Sequence, residues 1–283
     1  MTSVSWRQSL ARAVTGRVLT PEQRRTVEAV RVDDAGHGWD RFGLSTAGLG
    51  VALSTVRYLY DGYFRVQSFG AHHIPASGPT IVAANHSGTL PIDGLMLWAD
   101  ILLNSDPPRA PRPVADYFVP GLPFVNILFS RGGMISGSRG NVHAALEAGE
   151  LLVVFPEGVA GIGKSWSERY RLQRWTVGHA ELALRHHARV VPAAIIGAEE
   201  ALPQAAKVPF HAFGIPYLPI PATPLPLPAR IRIHYGAPID LAADFGHDAA
   251  RDPAALREAA DRVHDAVECL IAEGLDAREA IFR

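Results

Sequence analysis

His86 and Asp93 are the residue pair from which acid–base chemistry could be built. They stand seven positions apart in Asn85-His86-Ser87-Gly88-Thr89-Leu90-Pro91-Ile92-Asp93. A neutral imidazole held on one ring nitrogen by a carboxylate can use the other nitrogen to take a proton from an alcohol near pH 7. The preceding run, Ile81-Val82-Ala83-Ala84, is short, apolar and opens with β-branched residues, so it predicts a buried strand. The residues from Pro91 on predict a helix that starts with proline, whose missing N–H costs nothing at a first turn. His86 is thereby predicted at a strand end and Asp93 in the first turn of the next helix. Ligand sites of open α/β sheets gather at such strand ends. The local pattern by itself also fits a strand-end histidine that caps a helix or bonds a loop carbonyl.

The elements that must position this pair alternate along the chain. Strands are predicted at Thr80–Ala84, Arg112–Phe118, Leu151–Phe155, Val190–Ile196 and Arg230–Tyr235, with Tyr63–Gln67 as an edge strand. Helices are predicted at Ile92–Leu103, at Arg139–Ala148 with Ser138 as its cap, and at Arg174–His187. Two further helices are predicted before the first strand: one opened by Thr20-Pro21-Glu22-Gln23, the other over Leu44–Tyr60. A last helix opens at Asp252-Pro253. The fold class is α/β, a mixed and partly parallel sheet flanked by helices, with extra N-terminal and C-terminal helices. The chain divides into an N-terminal helical segment (1–60), a central domain (61–245) and a C-terminal helix (246–283). Val208 to Pro228 is apolar and crowded with proline, so it reads as an ordered excursion that lies against lipid or roofs a pocket.

Composition narrows the function classes. Hydrophobic residues make up 48% of the 283 residues and charged residues only 19%, below the roughly 25% of an average soluble protein. That balance suggests a large core or an apolar surface. A formal net charge of −1 gives no reason to invoke nucleic acid. The single cysteine, Cys269, excludes an internal disulfide and a cysteine-based zinc site, and its apolar helical setting predicts a buried thiol. The histidines other than His86 show no metal-ligand spacing, and Gly132-Gly133 lacks the lysine of a nucleotide loop. The first residues lack a signal-peptide apolar core, and no stretch reaches the roughly 18 apolar residues of a membrane span. The expected location is cytoplasmic.

Three more stretches extend the pattern in order: Gly132-Gly133-Met134-Ile135-Ser136-Gly137-Ser138-Arg139 before a helix, Val154-Phe155-Pro156-Glu157-Gly158 at a strand end, and Val191-Pro192-Ala193-Ala194-Ile195-Ile196-Gly197-Ala198-Glu199. With Asn85-His86 and Asp93 they resemble the glycerolipid acyltransferase superfamily over roughly residues 60 to 240. The run Phe155–Lys164 followed by Glu168-Arg169-Tyr170-Arg171 resembles its monoacylglycerol-acyltransferase-like subgroup. The resemblance implies an αβ fold on a membrane surface, peripheral on its inner face. It also implies acyl transfer from an acyl-CoA or acyl-carrier-protein thioester, as co-substrate, to a glycerolipid hydroxyl such as that of lysophosphatidic acid. No cofactor or metal is implied. The alternatives are a neutral acceptor such as monoacylglycerol, a thioesterase or lipid hydrolase using the same pair on water, and a non-catalytic lipid-binding protein. Two departures stand out. The family pattern is His-x4-Asp, whereas the fifth residue after His86 is Pro91 and the first acid is Asp93. Val159 and Ala160 also stand where a basic residue often follows the Glu-Gly pair.

In that setting His86 is the expected general base and Asp93 its partner. A serine nucleophile, Ser87, lacks the Gly-x-Ser-x-Gly turn such a residue needs. Glu157 is expected to bind acceptor hydroxyls, with Gly158 letting the backbone approach the substrate. Arg139, at a helix start that already favours anions, is expected to meet a phosphate of acceptor or donor. Lys164 and Arg169, with Arg171, form a basic cluster that binds substrate, remains solvated or attracts anionic lipid.

Overall fold

A computed structural model describes residues 13, 15–34, 36–88, 90–115, 129–212 and 215–282. In chain order the elements are α1 (Pro21–Ala29), α2 (Thr46–Arg57), β1 (Gln67–Phe69), β2 (Thr80–Ala84), α3 (Ile92–Asn104), β3 (Pro111–Ala115), β4 (Ile135–Ser136), α4 (Arg139–Glu147), β5 (Leu151–Val154), α5 (Val159–Ile162), α6 (Gly178–His186), β6 (Arg189–Ile196), α7 (Ala198–Ala201), β7 (Gln204–Ala212), β8 (Ile215–Pro221), β9 (Arg232–Tyr235), α8 (Leu241–Phe245) and α9 (Pro253–Asp276). Seven strands form one sheet in the order β1-β9-β6-β2-β5-β3-β4. Every neighbouring pair is parallel except β6–β9. This is the mixed, mostly parallel α/β sheet that strand–helix alternation predicts.

The apolar runs of the central strands follow from burial on both faces. Val82 and Ala84 point into one core with Val153, Ile195, Met96 and Leu97, whereas Ile81 and Ala83 point into the other with Leu152, Ile196, Leu184 and Val263. The N-terminal helices share the first core through Val27, Leu49 and Leu53. Helix α9 packs Ala259, Ala260, Val263, Val267 and Ile271 into the second. Among the described residues no helix is long and apolar enough to cross a membrane.

Local rules set most boundaries. Thr20 accepts from the Gln23 amide and Gln23 returns a bond to the Thr20 amide, a reciprocal cap at the start of α1. Ser138 caps α4 and Asp252 caps α9, with Pro253 following. Three expectations need correction. The edge strand lies at Gln67–Phe69, not Tyr63–Gln67, because the chain leaves α2 through a π-helical turn, Tyr58–Tyr63. Helical spacing there buries Tyr60 and Phe64 in the core and prevails over their strand propensity. Helix α6 starts at Gly178 rather than Arg174, because the residues before it strap back onto the end of β5: Gln173 N–H donates to Glu157 and Thr176 N–H to the Pro156 carbonyl. The proline-rich excursion contains an antiparallel hairpin, β7–β8, separate from the main sheet. Prolines are tolerated in it because both strands are edges. Cys269 is exposed, since the apolar stripe of α9 runs through 263, 267 and 271 and leaves position 269 on the outer face.

Strands β6, β2 and β5 are adjacent and parallel, so their carboxyl ends open on the same edge of the sheet. His86 follows β2, Glu157 follows β5 and Glu199 follows β6.

Candidate active site

Asn85 fixes the end of β2. Its side-chain amide donates to the Ile195 carbonyl at 3.0 Å and accepts from the Ile195 amide at 2.7 Å, tying the strand to β6 one residue before His86. The chain then bends, with Gly88 at φ 72°, and returns at Pro91 into α3. The longer spacing still brings the pair together: His86 Nδ1 lies 2.6 Å from Asp93 Oδ2. Asp93 has 0% exposure, and the same oxygen accepts from the Ser87 amide at 2.7 Å. Its place in the first turn of α3 adds the positive end of a helix dipole.

The imidazole is mostly enclosed, with its side chain 19% exposed. Its ring stacks on Phe155, with centroids 4.3 Å apart and planes 23° from parallel. Burial opposes charging of His86, but the charge and hydrogen bond of Asp93, helped by Glu157, outweigh it and hold its pKa above the ordinary histidine value. The contact through Nδ1 leaves Nε2 as the nitrogen for a proton acceptor's role.

Around this pair lies a buried charged group. Glu157 Oε1 accepts from the His86 backbone amide at 2.9 Å, and Oε2 accepts from the Gln173 amide at 2.9 Å. Lys164 Nζ stands 3.4 Å from that second oxygen and 2.8 Å from Glu199 Oε1. Glu199 Oε2 in turn accepts from the Tyr170 amide at 2.9 Å. Lys164 is only 5% exposed; burial opposes its charge, yet Glu199 and Glu157 together raise its pKa. The lysine expected to be solvated or to bind substrate is thus an interior ion, and Glu157, expected to bind acceptor hydroxyls, has both oxygens engaged by the protein.

Gly158 adopts φ 55° and ψ −142°, a region essentially reserved for glycine, while a Cβ there would meet only open space. The backbone conformation, not crowding, demands glycine. At Gly161 crowding decides: a Cβ would lie 2.9 Å from the Cβ atoms of both His86 and Glu157. An open recess beside the pair is lined by Ser87, Gly88, Lys164, Trp166, Arg169 and Gln204, among others. Arg169 is exposed and stacks over Trp166, its guanidinium carbon 4.5 Å from the ring centroid. Arg139 is exposed at the start of α4, after the edge strand β4. That strand stands three places from β2, about 14 Å at the usual strand spacing, and Arg139 makes none of the bonds described around His86.

Residue-by-residue reading missed four contributors: Asn85, Phe155, Gly161 and Glu199. Asn85 and Phe155 stand beside residues already singled out, but nothing in the sequence tells which partner their side chains find. Several other histidines find their surroundings away from the site. His73 meets the Tyr235 carbonyl, His143 pairs with His186, and burial of His179 pulls its pKa down to about 4. One group of potential metal ligands among the described residues, His264, Asp265 and Glu268, lies on α9 and includes no residue of the site.

An imidazole–carboxylate pair at the carboxyl edge of a mostly parallel sheet, backed by a strand-end Pro-Glu-Gly turn, defines the class of protein. Residues 65–196 match the family profile described as Acyltransferase. The chain is 38% identical over 238 residues to an uncharacterized protein of Mycobacterium tuberculosis, an alignment covering 80% of this chain and 66% of the relative. It is 28% identical over 232 residues to the Bos taurus protein named "DGAT1/2-independent enzyme synthesizing storage lipids", covering 78% and 64%. The chain thus spans about two thirds of the length of these relatives. The fold is similar to the crystal structure of the 1-acyl-sn-glycerophosphate (LPA) acyltransferase PlsC of Thermotoga maritima, with a TM-score of 0.54, 18% identity and 83% of each chain covered. The chain belongs to the glycerolipid acyltransferase superfamily.

Proposed function

We propose that this protein is an O-acyltransferase that moves a fatty acyl group from a thioester, acyl-CoA or acyl carrier protein, to the hydroxyl of a glycerolipid. The observation that carries this reading is the 2.6 Å contact between His86 Nδ1 and Asp93, next to a recess that Ser87 and Gly88 line. His86 Nε2 takes the proton of the acceptor hydroxyl as its oxygen attacks the thioester carbonyl carbon. The C–S bond breaks, and the imidazolium returns the proton to the departing thiolate. Asp93 fixes the tautomer and favours the imidazolium formed in between. A thioester is already activated, so no acyl-enzyme is needed.

The acceptor we favour is a neutral lipid alcohol such as monoacylglycerol, over a phosphorylated one such as lysophosphatidic acid. The cation nearest His86, Lys164, is buried and neutralised by two carboxylates. Among the described residues lining the recess, that leaves Arg169 as the cation able to face a phosphate. The name of the bovine relative, a storage-lipid enzyme, agrees with this choice. In this reading Arg139, farther along the sheet edge, meets phosphates of the thioester carrier. The protein works as a peripheral one on the inner, cytoplasmic face of a membrane, with the exposed apolar residues Val208, Ile220 and Leu225 contributing to lipid contact.

Purified protein with labelled acyl-CoA and a panel of monoacylglycerol, lysophosphatidic acid and a long-chain alcohol tests the reading. Acceptor-dependent ester, greatest with monoacylglycerol, is the expected product. Free fatty acid formed regardless of acceptor identifies a hydrolase. Co-sedimentation with anionic liposomes tests the membrane assignment, and a protein left entirely in the supernatant overturns it.

A further inference from the structure

Lys164 is the buried group that the proton transfer does not use. Its ammonium touches carboxylates that follow two different strands: Glu157 after β5 and Glu199 after β6. Glu157 in turn holds the His86 amide after β2. Three strand ends therefore meet through one cation that has little access to water. The turn it closes, residues 157–164, includes Gly158 in a conformation that only glycine adopts readily, and Gly161, where any side chain would collide with His86 Cβ. The Lys164–Glu157 pair joins the two ends of that turn, and the Lys164–Glu199 pair fixes it to the end of β6.

Resting on the His86–Asp93 reading above, we propose that Lys164 is a positioning residue: gripped by Glu157 and Glu199, it locks the turn that carries the His86 backbone and offsets the carboxylate charge beside the imidazole. The charged groups facing His86 are Asp93 from α3, Glu157 from the β5 turn and Lys164 itself, with Glu199 of α7 behind Lys164. Two of the three carboxylates share one ammonium. Removing that ammonium leaves both unopposed in a low-dielectric interior, and His86 then holds its proton more tightly. The displaced turn also moves His86 away from its best geometry, an effect felt in turnover rather than in binding.

The test is Lys164→Met, read in two independent ways. NMR titration of histidine-labelled protein, with the resonance assigned by its loss in His86→Asn, should move the His86 midpoint up by roughly half to one pH unit. Steady-state kinetics at pH 7 should show kcat lowered by about tenfold, with both KM values within about twofold of wild type. Lys164→Arg should bring the midpoint back toward wild type. Should Lys164→Met fail to fold, Lys164→Met/Glu199→Gln removes a carboxylate together with the cation, and it should fold with reduced kcat and unaltered KM. A folded variant whose midpoint and kcat both match wild type overturns the proposal. So does a raised KM with unchanged kcat, which would make Lys164 a substrate contact. The NMR midpoint reports on Lys164 even if His86→Ala proves active, so failure of the acid–base reading is distinguishable from failure of this one.

Discussion

Helix α3 carries two aspartates, two turns apart, and both have 0% exposure. Asp93 faces an imidazole whose chain neighbours Ser87 and Gly88 line a recess. Asp100 faces the opposite end of the helix, where it accepts from Tyr60 Oη at 2.6 Å, Tyr235 Oη at 2.7 Å, Ser68 Oγ at 2.8 Å and Asn104 Nδ2 at 3.0 Å. Each of those partners is a neutral donor. Burial pushes the Asp100 pKa up, and its donors oppose that shift. The two acids are equal in type and burial and differ only in what they hold. One is paired with a group that can exchange a proton near neutrality, whereas the other pins α3 to β1, β9 and the π-helical turn. Burial of an acid is therefore no sign of chemistry; the partner decides.

The largest effect expected from this contrast is on His86. His86→Ala should lower kcat by about 10²–10⁴-fold, the usual contribution of a general base, while the protein keeps a cooperative thermal transition. Turnover within twofold of wild type would remove His86 from the mechanism and leave Asp93 as structural as Asp100.

Asp93→Asn should come next, with a fall in kcat on the order of 10²-fold and a change in the pH profile whose sign is fixed. Asp93 is what raises the His86 pKa against burial. Without it, burial dominates and the pKa falls, so the acidic limb of the kcat profile should move to lower pH as the maximum drops. A limb that stays in place would assign it to another group.

Asp100→Asn completes the comparison. It should leave kcat, KM and the pH profile within about twofold of wild type, yet lower the unfolding free energy by roughly 1–3 kcal/mol, because an amide cannot accept from all the buried donors. Urea denaturation monitored by tryptophan fluorescence measures that cost. A loss of activity without a loss of stability would break the distinction between the two acids.

Much of this contrast was legible in residues, but unevenly. The strand-ending apolar runs and the capped helices located His86 and Asp93 on the right elements, since period and cap chemistry are local. Asp100 carries no such signal: its partners Tyr60, Ser68 and Tyr235 come from three separate stretches, and only the sheet order β1-β9-β6 brings them together. The burial of Lys164 was illegible for the same reason. In sequence this lysine lies in a Gly-rich stretch among other basic residues and reads as binding substrate, solvated or attracting anionic lipid. Its burial depends on Glu199, thirty-five positions on, which the parallel pairing of β6 with β2 places beside it. Local propensity announces elements, whereas the partners of buried charges are decided by topology.

Ser87 is expected to affect neither activity nor stability much, and it separates two ways of using the same oxygen atom of Asp93. The Ser87 backbone amide donates to Asp93 Oδ2 at 2.7 Å, while its hydroxyl stands 3.4 Å away. Ser87→Ala keeps the shorter bond and loses only the weaker contact, so kcat should change by no more than about threefold. A loss approaching that of His86→Ala would instead make Ser87 Oγ the attacking atom, with an acyl-enzyme visible by mass spectrometry after mixing with acyl-CoA. The Asp93 site would then be a nucleophile's triad rather than a base and its partner, and the difference from Asp100 would lie in a covalent step instead of a proton.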